Sequence, residues 1–558
     1  MKPRPVPHRE GELEALRGRY NQLSTRGRHD EARAVAARIR ELAPDAAASH
    51  AALGQTLVML GLHAEALSSL ERARELDPRD AGIVTNLGSC LAWLNRRDEA
   101  IAAHRAALEL DPDRLRAGIN LSMELLVTGA ADEAAAIAKD LVARHPDSLE
   151  PRKIAAIVSN YRADATHVAV SLAHRTFGQA AAAFARPIAG DPKLPPLPKA
   201  PAVGEPIRVG FLSPDFRAHA VARFFLPVLE AFDRSAIRPV LYHLAPVRDA
   251  MTDRLAAAAE LVDAHALGDT ELVARARRDR IAVAFDLAGL TQGSRPVAFA
   301  ARLAPRQFAW LGYATTTGIP AIDRRIVDAT TDPDGADGFH VERLVRVAGP
   351  FVRWVPDAAP VAPTAGRPFT FGSFNNGAKL NPGHVARFAA ATLAVPDARL
   401  VLKAEGFDAA SARDRVGGWL VAAGLPPARF EIRPGTRTHD EHLATYREID
   451  VALDSFPYHG TTTTVEALSQ GVPVVTLVGD RHASRVGASL LGAVGLGDLA
   501  AVDETEFTQA AARLAGDRDR LTALRRELPS RIAAGPLGDA RGLAAELVDA
   551  IRSAVAET

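Results

Sequence analysis

The sequence predicts an α-superhelical solenoid of paired helices followed by two Rossmann-like α/β domains, and three features of the chain predict it. Prolines recur at Pro44, Pro78, Pro112 and Pro146, each 34 positions from the last. Beyond residue 206, short β-rich runs alternate with helical stretches, the pattern of a mainly parallel sheet. Two proline-rich stretches, Asp191–Pro206 and Val355–Pro368, stand where that pattern starts and where it starts again, and mark domain boundaries.

The repeats occupy residues 10–150. In the frame set by the prolines, Glu31-Ala32, Glu65-Ala66, Glu99-Ala100 and Glu133-Ala134 open the second helix of each pair. Gly54, Gly88 and Ser122 recur where two helices must approach closely. A 34-residue helical hairpin is the tetratricopeptide period. No such hairpin buries its apolar face alone, so stacking makes one continuous core with a concave, protein-binding groove. Asn86 and Asn120 are equivalent positions on successive first helices, where a polar side chain can clamp a bound peptide or simply face solvent.

Residues 151–190 read as a helical extension and 191–206 as a linker. The first α/β domain, 207–356, has strands in IRVGFL, PVLYHL, IAVAFDLAG, QFAWLGY and RRIVDAT. After a linker at 357–368, the second domain, 369–558, has strands in FTFGSFNN, ARLVLKAE, RFEIRP, DVALDSF and PVVTLVG. Doubly wound sheets bind ligands at the carboxyl ends of their strands, so two in tandem imply a shared cleft.

Composition narrows what that cleft binds. With 558 residues, 47% of them hydrophobic and 24% charged, the chain has material for several cores. Lys plus Arg number 67 and Asp plus Glu number 67, so no summed field draws nucleic acid or an anionic membrane, and any polyanion site is local. The single cysteine, Cys90, excludes an internal disulfide and fits a reducing compartment. The start, MKPRPVPHRE, carries no apolar leader segment, and no run approaches the roughly 18 to 20 apolar residues that span a bilayer. The expectation is a soluble cytoplasmic protein.

The densest chemistry lies in Asp450–Leu477, which reads as strand, turn, helix and strand. The turn holds His459 and Gly460, then Thr461, Thr462, Thr463 and Thr464 at the start of the helix. Hydroxyls and free N–H groups at the positive end of a helix suit a diphosphate. Gly460 allows close approach of a ligand, and Glu466, one turn in, suits ribose hydroxyls. Lys379, just after the strand FTFGSFNN, would neutralise phosphate and stabilise a leaving diphosphate as its charge develops. His219, after IRVGFL, sits at the matching edge of the first domain with a side chain that exchanges protons near neutral pH. His442 offers a flat ring for stacking on a base. Metal-binding motifs and a Walker A sequence are lacking, so helix dipole and lysine stand in for a cation. The pattern suggests a nucleotide-sugar transferase.

These residues carry a resemblance. SPDFRAH, FAWLGYATTTG, FNNGAKLNP, DEHLATYREIDVALDSFPYHGTTTTVEAL and GVPVVTL appear in the order found in the O-GlcNAc transferase family, and the chain looks like a bacterial member. The resemblance implies a GT-B type glycosyltransferase that moves N-acetylglucosamine from UDP-GlcNAc to Ser or Thr of proteins, inverting the anomeric carbon without a metal or other cofactor. His219 matches the family's active-site histidine, often proposed as general base, and Lys379 its diphosphate lysine. His442 matches the histidine beside the uracil, and Thr461, Thr462 and Thr463 the diphosphate contacts. Glu466 falls at the acidic ribose ligand, and Leu311-Gly312 at the Leu-Gly beside the sugar. Asn376, His459 and His439 stand where animal members carry Gln, Asn and Lys. A related branch of the family uses GDP-fucose, so protein O-fucosyl transfer is the alternative donor reading, and a non-catalytic scaffold that senses a nucleotide sugar is the alternative to an enzyme.

Overall fold

The computed structural model describes residues 7–25, 28–202, 204–356 and 359–557, which leaves out positions 26, 27 and 203 and the first two positions of the expected second linker. It divides into two compact units, one running to Ile154 and taking in Glu405–Asp414, the other made of Ala155–Ala404 and Arg415–Thr558.

The first unit holds four helical hairpins: Pro7–Thr25 with His29–Leu42, Ala47–Met59 with His63–Leu76, Ala81–Trp93 with Arg97–Leu110, and Leu115–Val127 with Ala131–Arg144. Each periodic proline lies two residues past a second helix, because a proline cannot extend the helix it follows. Ala32, Ala66, Ala100 and Ala134 are fully buried where the second helices meet their neighbours. The small residues of the first helices are needed for close packing. A Cβ on Gly54 would fall 2.6 Å from the Leu70 side chain, and one on Gly88 2.6 Å from the His104 ring. Ser122, at the same place one repeat on, is buried and donates to the Ala134 carbonyl at 2.9 Å. Asn86 and Asn120 are both half-buried on first helices. Asn120 Nδ2 donates to Ser89 Oγ at 2.8 Å, so part of that amide serves contact between repeats. The Asn86 side chain has no hydrogen-bond partner among the described residues.

The second unit begins with the helical extension, whose main helix is His167–Ala189. The first sheet comprises β1 Ile207–Ser213, β2 Ile237–His243, β3 Glu260–Asp263, β4 Val283–Asp286, β5 Arg306–Ala309, β6 Arg324–Asp328 and β7 Arg343–Val347. Its order is β3-β2-β1-β4-β5-β6-β7, and every pairing is parallel. The second sheet comprises β8 Thr370–Ser373, β9 Arg399–Ala404, β10 Phe430–Pro434, β11 Val451–Leu453, β12 Val474–Leu477 and β13 Ala500–Ala501, in the order β10-β9-β8-β11-β12-β13 and again parallel. Both sheets wind outward in two directions from their first strand. The switch points therefore lie between β1 and β4 and between β8 and β11, and crevices for ligands open at the carboxyl ends of those strands.

One expected boundary is corrected. The second domain does not keep the chain to residue 558. The helix Ala540–Ala556 packs on the helix Ala220–Ala231 and on β7, both in the first α/β domain. Leu543, Leu547 and Ile551 are buried along one side of it. Arg306 Nε donates to the Ala554 carbonyl at 2.8 Å and Arg353 Nε to the Asp539 carbonyl at 2.7 Å. An apolar stripe on that last helix is satisfied by the first sheet's outer helix and edge, and sequence order hides such a return.

Candidate active site

The turn after β11 is built around a buried carboxylate. Asp454 Oδ1 accepts from the Ser455 and Gly460 amides at 2.8 Å each, and Oδ2 accepts from the Thr476 hydroxyl at 2.8 Å. Gly460 is required by the turn itself. A Cβ there would lie 2.2 Å from Thr463 Oγ1 and 2.6 Å from Asn375 Oδ1.

The helix Thr462–Ser469 follows, and its four threonines differ in role. Thr464 is buried and donates to the Gly460 carbonyl at 2.8 Å, while Thr463 donates to Asn375 Oδ1 at 2.9 Å. Thr461 and Thr462 are half-buried, and their hydroxyls have no partner among the described residues. Thr461 makes no side-chain cap bond, so the first N–H groups of the helix lack a capping acceptor, as an anion site needs.

Lys379 closes the floor of the same turn. It ends a single helical turn after β8, and its Nζ donates to the His459 carbonyl at 2.7 Å and lies 4.8 Å from the centre of the Tyr458 ring. Burial pushes the ammonium down to about 8, with Asp454 opposing the shift. His459 contributes that carbonyl and not its ring, which corrects the expected contact with the nucleotide. The imidazole is fully buried, donates from Nε2 to the Leu477 carbonyl at 2.8 Å and accepts at Nδ1 from the Gly487 amide at 3.0 Å. Asn376 also serves the loop. Its Oδ1 caps the Ala378 amide at 2.9 Å, and the neighbouring Asn375 is the residue that joins Thr463 and Lys379.

At the far side of the turn, Glu466 is buried, with His442 Nε2 at 3.0 Å and His439 Nδ1 at 3.7 Å. His442 Nδ1 accepts from Lys403 Nζ at 2.7 Å, which places the ring proton on Nε2, toward Glu466. The expected ribose carboxylate is therefore already engaged by two imidazoles. Lys403 also donates to Thr445 Oγ at 3.0 Å and lies 4.7 Å over the Phe374 ring. Burial pushes it down to about 8, against the pull of Glu466. Sequence reasoning missed Lys403, although an ionic residue closing the apolar run of ARLVLKAE was the available signal. His439 in turn contacts Arg223, four residues beyond His219 on the first domain.

On the first domain, His219 caps the helix Ala220–Ala231. Its Nδ1 accepts from the Val221 amide at 3.3 Å and lies 3.7 Å from Asp215 Oδ1. Burial lowers its pKa and Asp215 opposes this, so the ring is neutral at pH 7 and carries its proton on Nε2. The exposed edge of the ring is thus a hydrogen-bond donor. Leu311 has φ of +64°, and a Cβ on Gly312 would sit 1.9 Å from the Leu287 carbonyl, so this Leu-Gly corner is held by backbone contact with the loop after β4. In that loop Asp286, also missed, accepts from the Ala288 and Gly289 amides through Oδ1, while its buried Oδ2 has no partner among the described residues. Burial pushes this carboxyl up to about 6.

The two α/β domains are tied together at these edges. Asp332 holds His340 at 3.0 Å and His482 of the second domain at 2.5 Å, and Ser489 donates to Asp328 at 2.8 Å. Among the described residues no cluster of His, Cys, Asp and Glu suits a metal ion, and no helix is long and apolar enough to cross a membrane.

The profile of glycosyl transferase family 41 matches residues 196–353 and 366–547. The probable UDP-N-acetylglucosamine–peptide N-acetylglucosaminyltransferase SPINDLY of Solanum lycopersicum is 35% identical over 404 residues, 71% of this chain and 43% of that protein. Its counterpart from Arabidopsis thaliana is 37% identical over 358 residues, 62% of this chain and 39% of that protein. The chain thus spans less than half the length of these relatives. A solved structure of a mutant Thermobaculum terrenum O-GlcNAc transferase superposes with a TM-score of 0.83 at 30% identity, over 100% of this chain and 99% of that one.

Proposed function

This chain belongs to glycosyl transferase family 41, and from that premise we propose that it transfers N-acetylglucosamine from UDP-GlcNAc to Ser or Thr hydroxyls of proteins held along the groove of its repeats. The carrying observation is the union of Lys379 with the threonine turn, in which a half-desolvated ammonium and an uncapped helix end converge at one switch point. In this reading the diphosphate lies on Thr461, Thr462 and the first N–H groups, with Lys379 beneath it. The nucleoside reaches toward His442 and Glu466. The acceptor hydroxyl attacks the anomeric carbon from the face opposite the diphosphate, the bond from that carbon to the phosphate oxygen breaks, and the configuration inverts. The hydroxyl proton passes to water. Lys379 and the helix dipole stabilise the charge that grows on UDP, which lowers the barrier because it is larger in the transition state than in the bound donor. His219 orients the acceptor through its Nε2–H. Positive charge from Lys379 and the helix end makes a metal unnecessary in this scheme, and the buried free thiol of Cys90 suits work in the cytoplasm.

The test is transfer of labelled sugar to protein acceptors from UDP-GlcNAc, UDP-glucose and GDP-fucose, each with and without EDTA. Transfer from UDP-GlcNAc that survives EDTA is expected. Labelling from GDP-fucose alone overturns the donor, loss of activity in EDTA overturns the metal-free scheme, and UDP binding without transfer from any donor leaves a sensor rather than an enzyme.

A further inference from the structure

Three nitrogen atoms at the joint between the two α/β domains are buried and have no hydrogen-bond partner among the described residues: His340 Nδ1 on the first domain, and Arg481 Nη1 and His482 Nε2 on the second. These residues are 6%, 3% and 2% exposed. All three line one cavity, beside Thr315, Thr316 and Phe339, with about 10 Å³ open to the centre of a water molecule. The two threonines are engaged elsewhere, Thr315 donating to Asn160 Oδ1 at 2.9 Å and Thr316 to Glu342 at 2.6 Å.

The state of the two rings is set from behind the cavity. Asp332 is fully buried and accepts from His340 Nε2 at 3.0 Å and from His482 Nδ1 at 2.5 Å. A neutral imidazole that donates from one nitrogen offers a lone pair at the other. The orphaned atoms are therefore two acceptors, the ring lone pairs, and one donor, the Arg481 N–H. One water has two O–H groups for the rings and a lone pair for the guanidinium, so it satisfies all three at once. Three hydrogen bonds in a space of this size are what a buried water takes. An anion would accept from Arg481 but meet two lone pairs.

The same joint reaches the phosphate turn. His482 opens the short helical turn His482–Ser484, in which the Ala483 carbonyl accepts from the His459 amide at 2.8 Å. The His459 carbonyl in turn holds Lys379. Arg481 is anchored as well, its Nη2 donating to the Asn160 carbonyl at 3.2 Å.

We propose that one buried water completes the joint by bridging Arg481, His340 and His482, and that His482, gripped by Asp332 and this water, is a positioning residue for the phosphate turn. The second half rests on the donor reading above. The first domain thereby fixes, through Asp332 and His340, the backbone beneath the ammonium of the second.

The test has two arms, both on the full chain. A crystal structure, with a second crystal soaked in bromide, should show one water within about 3.2 Å of all three nitrogens and no anomalous peak among them. A site without density overturns the water, and an anomalous peak overturns it in favour of an anion. The second arm measures UDP binding by calorimetry in His482→Ala and in His482→Asn, which keeps a donor for Asp332. His482→Ala should raise Kd for UDP about tenfold with the full complement of sites kept, and His482→Asn should recover most of that loss. An unchanged Kd in His482→Ala, a loss that His482→Asn does not recover, or fewer sites at an unchanged Kd overturns the positioning role. Should His482→Ala fail to fold, His340→Phe on the other domain replaces it. A rise of about threefold in Kd then supports the role, and an unchanged value overturns it. If the wild type binds GDP and not UDP, the donor reading fails and the same comparison is made with GDP. If it binds neither, the positioning role falls with the donor reading, and the water stands or falls on its density.

Discussion

On the donor reading proposed above, Lys379 should make the affinity of the site for UDP depend on pH, in a direction that follows from its burial. Burial depresses the ammonium to about 8. It is therefore charged below pH 8 and neutral above, and a bound diphosphate restores the charge by raising the pKa again. UDP binding above pH 8 must then take up one proton. With a free-site value near 8, about nine-tenths of the molecules carry the charge at pH 7 and about one-tenth at pH 9, so Kd for UDP should rise roughly tenfold over that interval, about 1.4 kcal/mol. The second ionisation of a phosphate lies near 6 and adds nothing in this window. Calorimetry in two buffers of different ionisation enthalpy reports both Kd and proton uptake. In Lys379→Ala the slope should vanish and UDP affinity should fall by roughly 10²- to 10³-fold, within the 4 kcal/mol that a charge pair at about 4 Å provides at an effective dielectric of 20. Lys403 is depressed to a similar value, but it is bound to His442 and Thr445, so Lys403→Met should keep the slope. A slope that survives in Lys379→Ala would refute the assignment of the phosphate cation.

Four further outcomes follow from the geometry. His219→Ala should lower turnover by roughly 10²- to 10³-fold, the value of one positioned donor, with UDP affinity kept. Asp215→Asn should change kcat by less than threefold, because Nδ1 rests on the Val221 amide, whereas a tenfold loss would show that Asp215 holds an Nδ1 proton and that His219 is the base. Gly312→Ala drives a methyl group into the Leu287 carbonyl and should destabilise the second unit by about 2 to 4 kcal/mol in thermal melting, with sugar-donor affinity lost before UDP affinity. Asn86→Ala should weaken binding of an acceptor polypeptide more than Asn120→Ala, since part of the Asn120 amide is committed to Ser89, and equal affinities in both variants and the wild type would remove these residues from acceptor binding.

What the sequence made legible was what local chemistry determines. The repeat was readable because every hairpin repeats the same constraint: a proline where a helix must stop, an alanine where second helices touch, a small residue where Leu70 or His104 leaves no room for a side chain. The long strands were readable from their apolar runs, and β3, β7 and β13 were not, because ELVD, RLVRV and AA are short edge segments or charged on one face. Within the site, threonines, glycine and lysine pointed to a phosphate, yet the same local view misjudged His459, which looks like a polar residue facing a ligand and whose ring is instead satisfied by the protein between Leu477 and Gly487.

The missed residues share the opposite property. Asp454, Asn375 and Lys403 act through partners distant in sequence, so no spacing marks them. Asn375 lies 88 residues from Thr463, and Lys403 lies 39 from His442. A buried polar group needs a partner, and in a doubly wound sheet the partner comes from a neighbouring strand end rather than from the next turn of the chain. The active-site loops of this protein are therefore cross-braced pairwise, β8 to β11 through Asn375 and Asp454, and β9 to the His439–Ala444 helix through Lys403. That bracing explains how an ammonium can sit half-desolvated beneath the threonine turn. Its two oxygen neighbours, the His459 carbonyl and Asn375, are held by contacts that do not depend on the ligand, so the site is organised before the donor arrives.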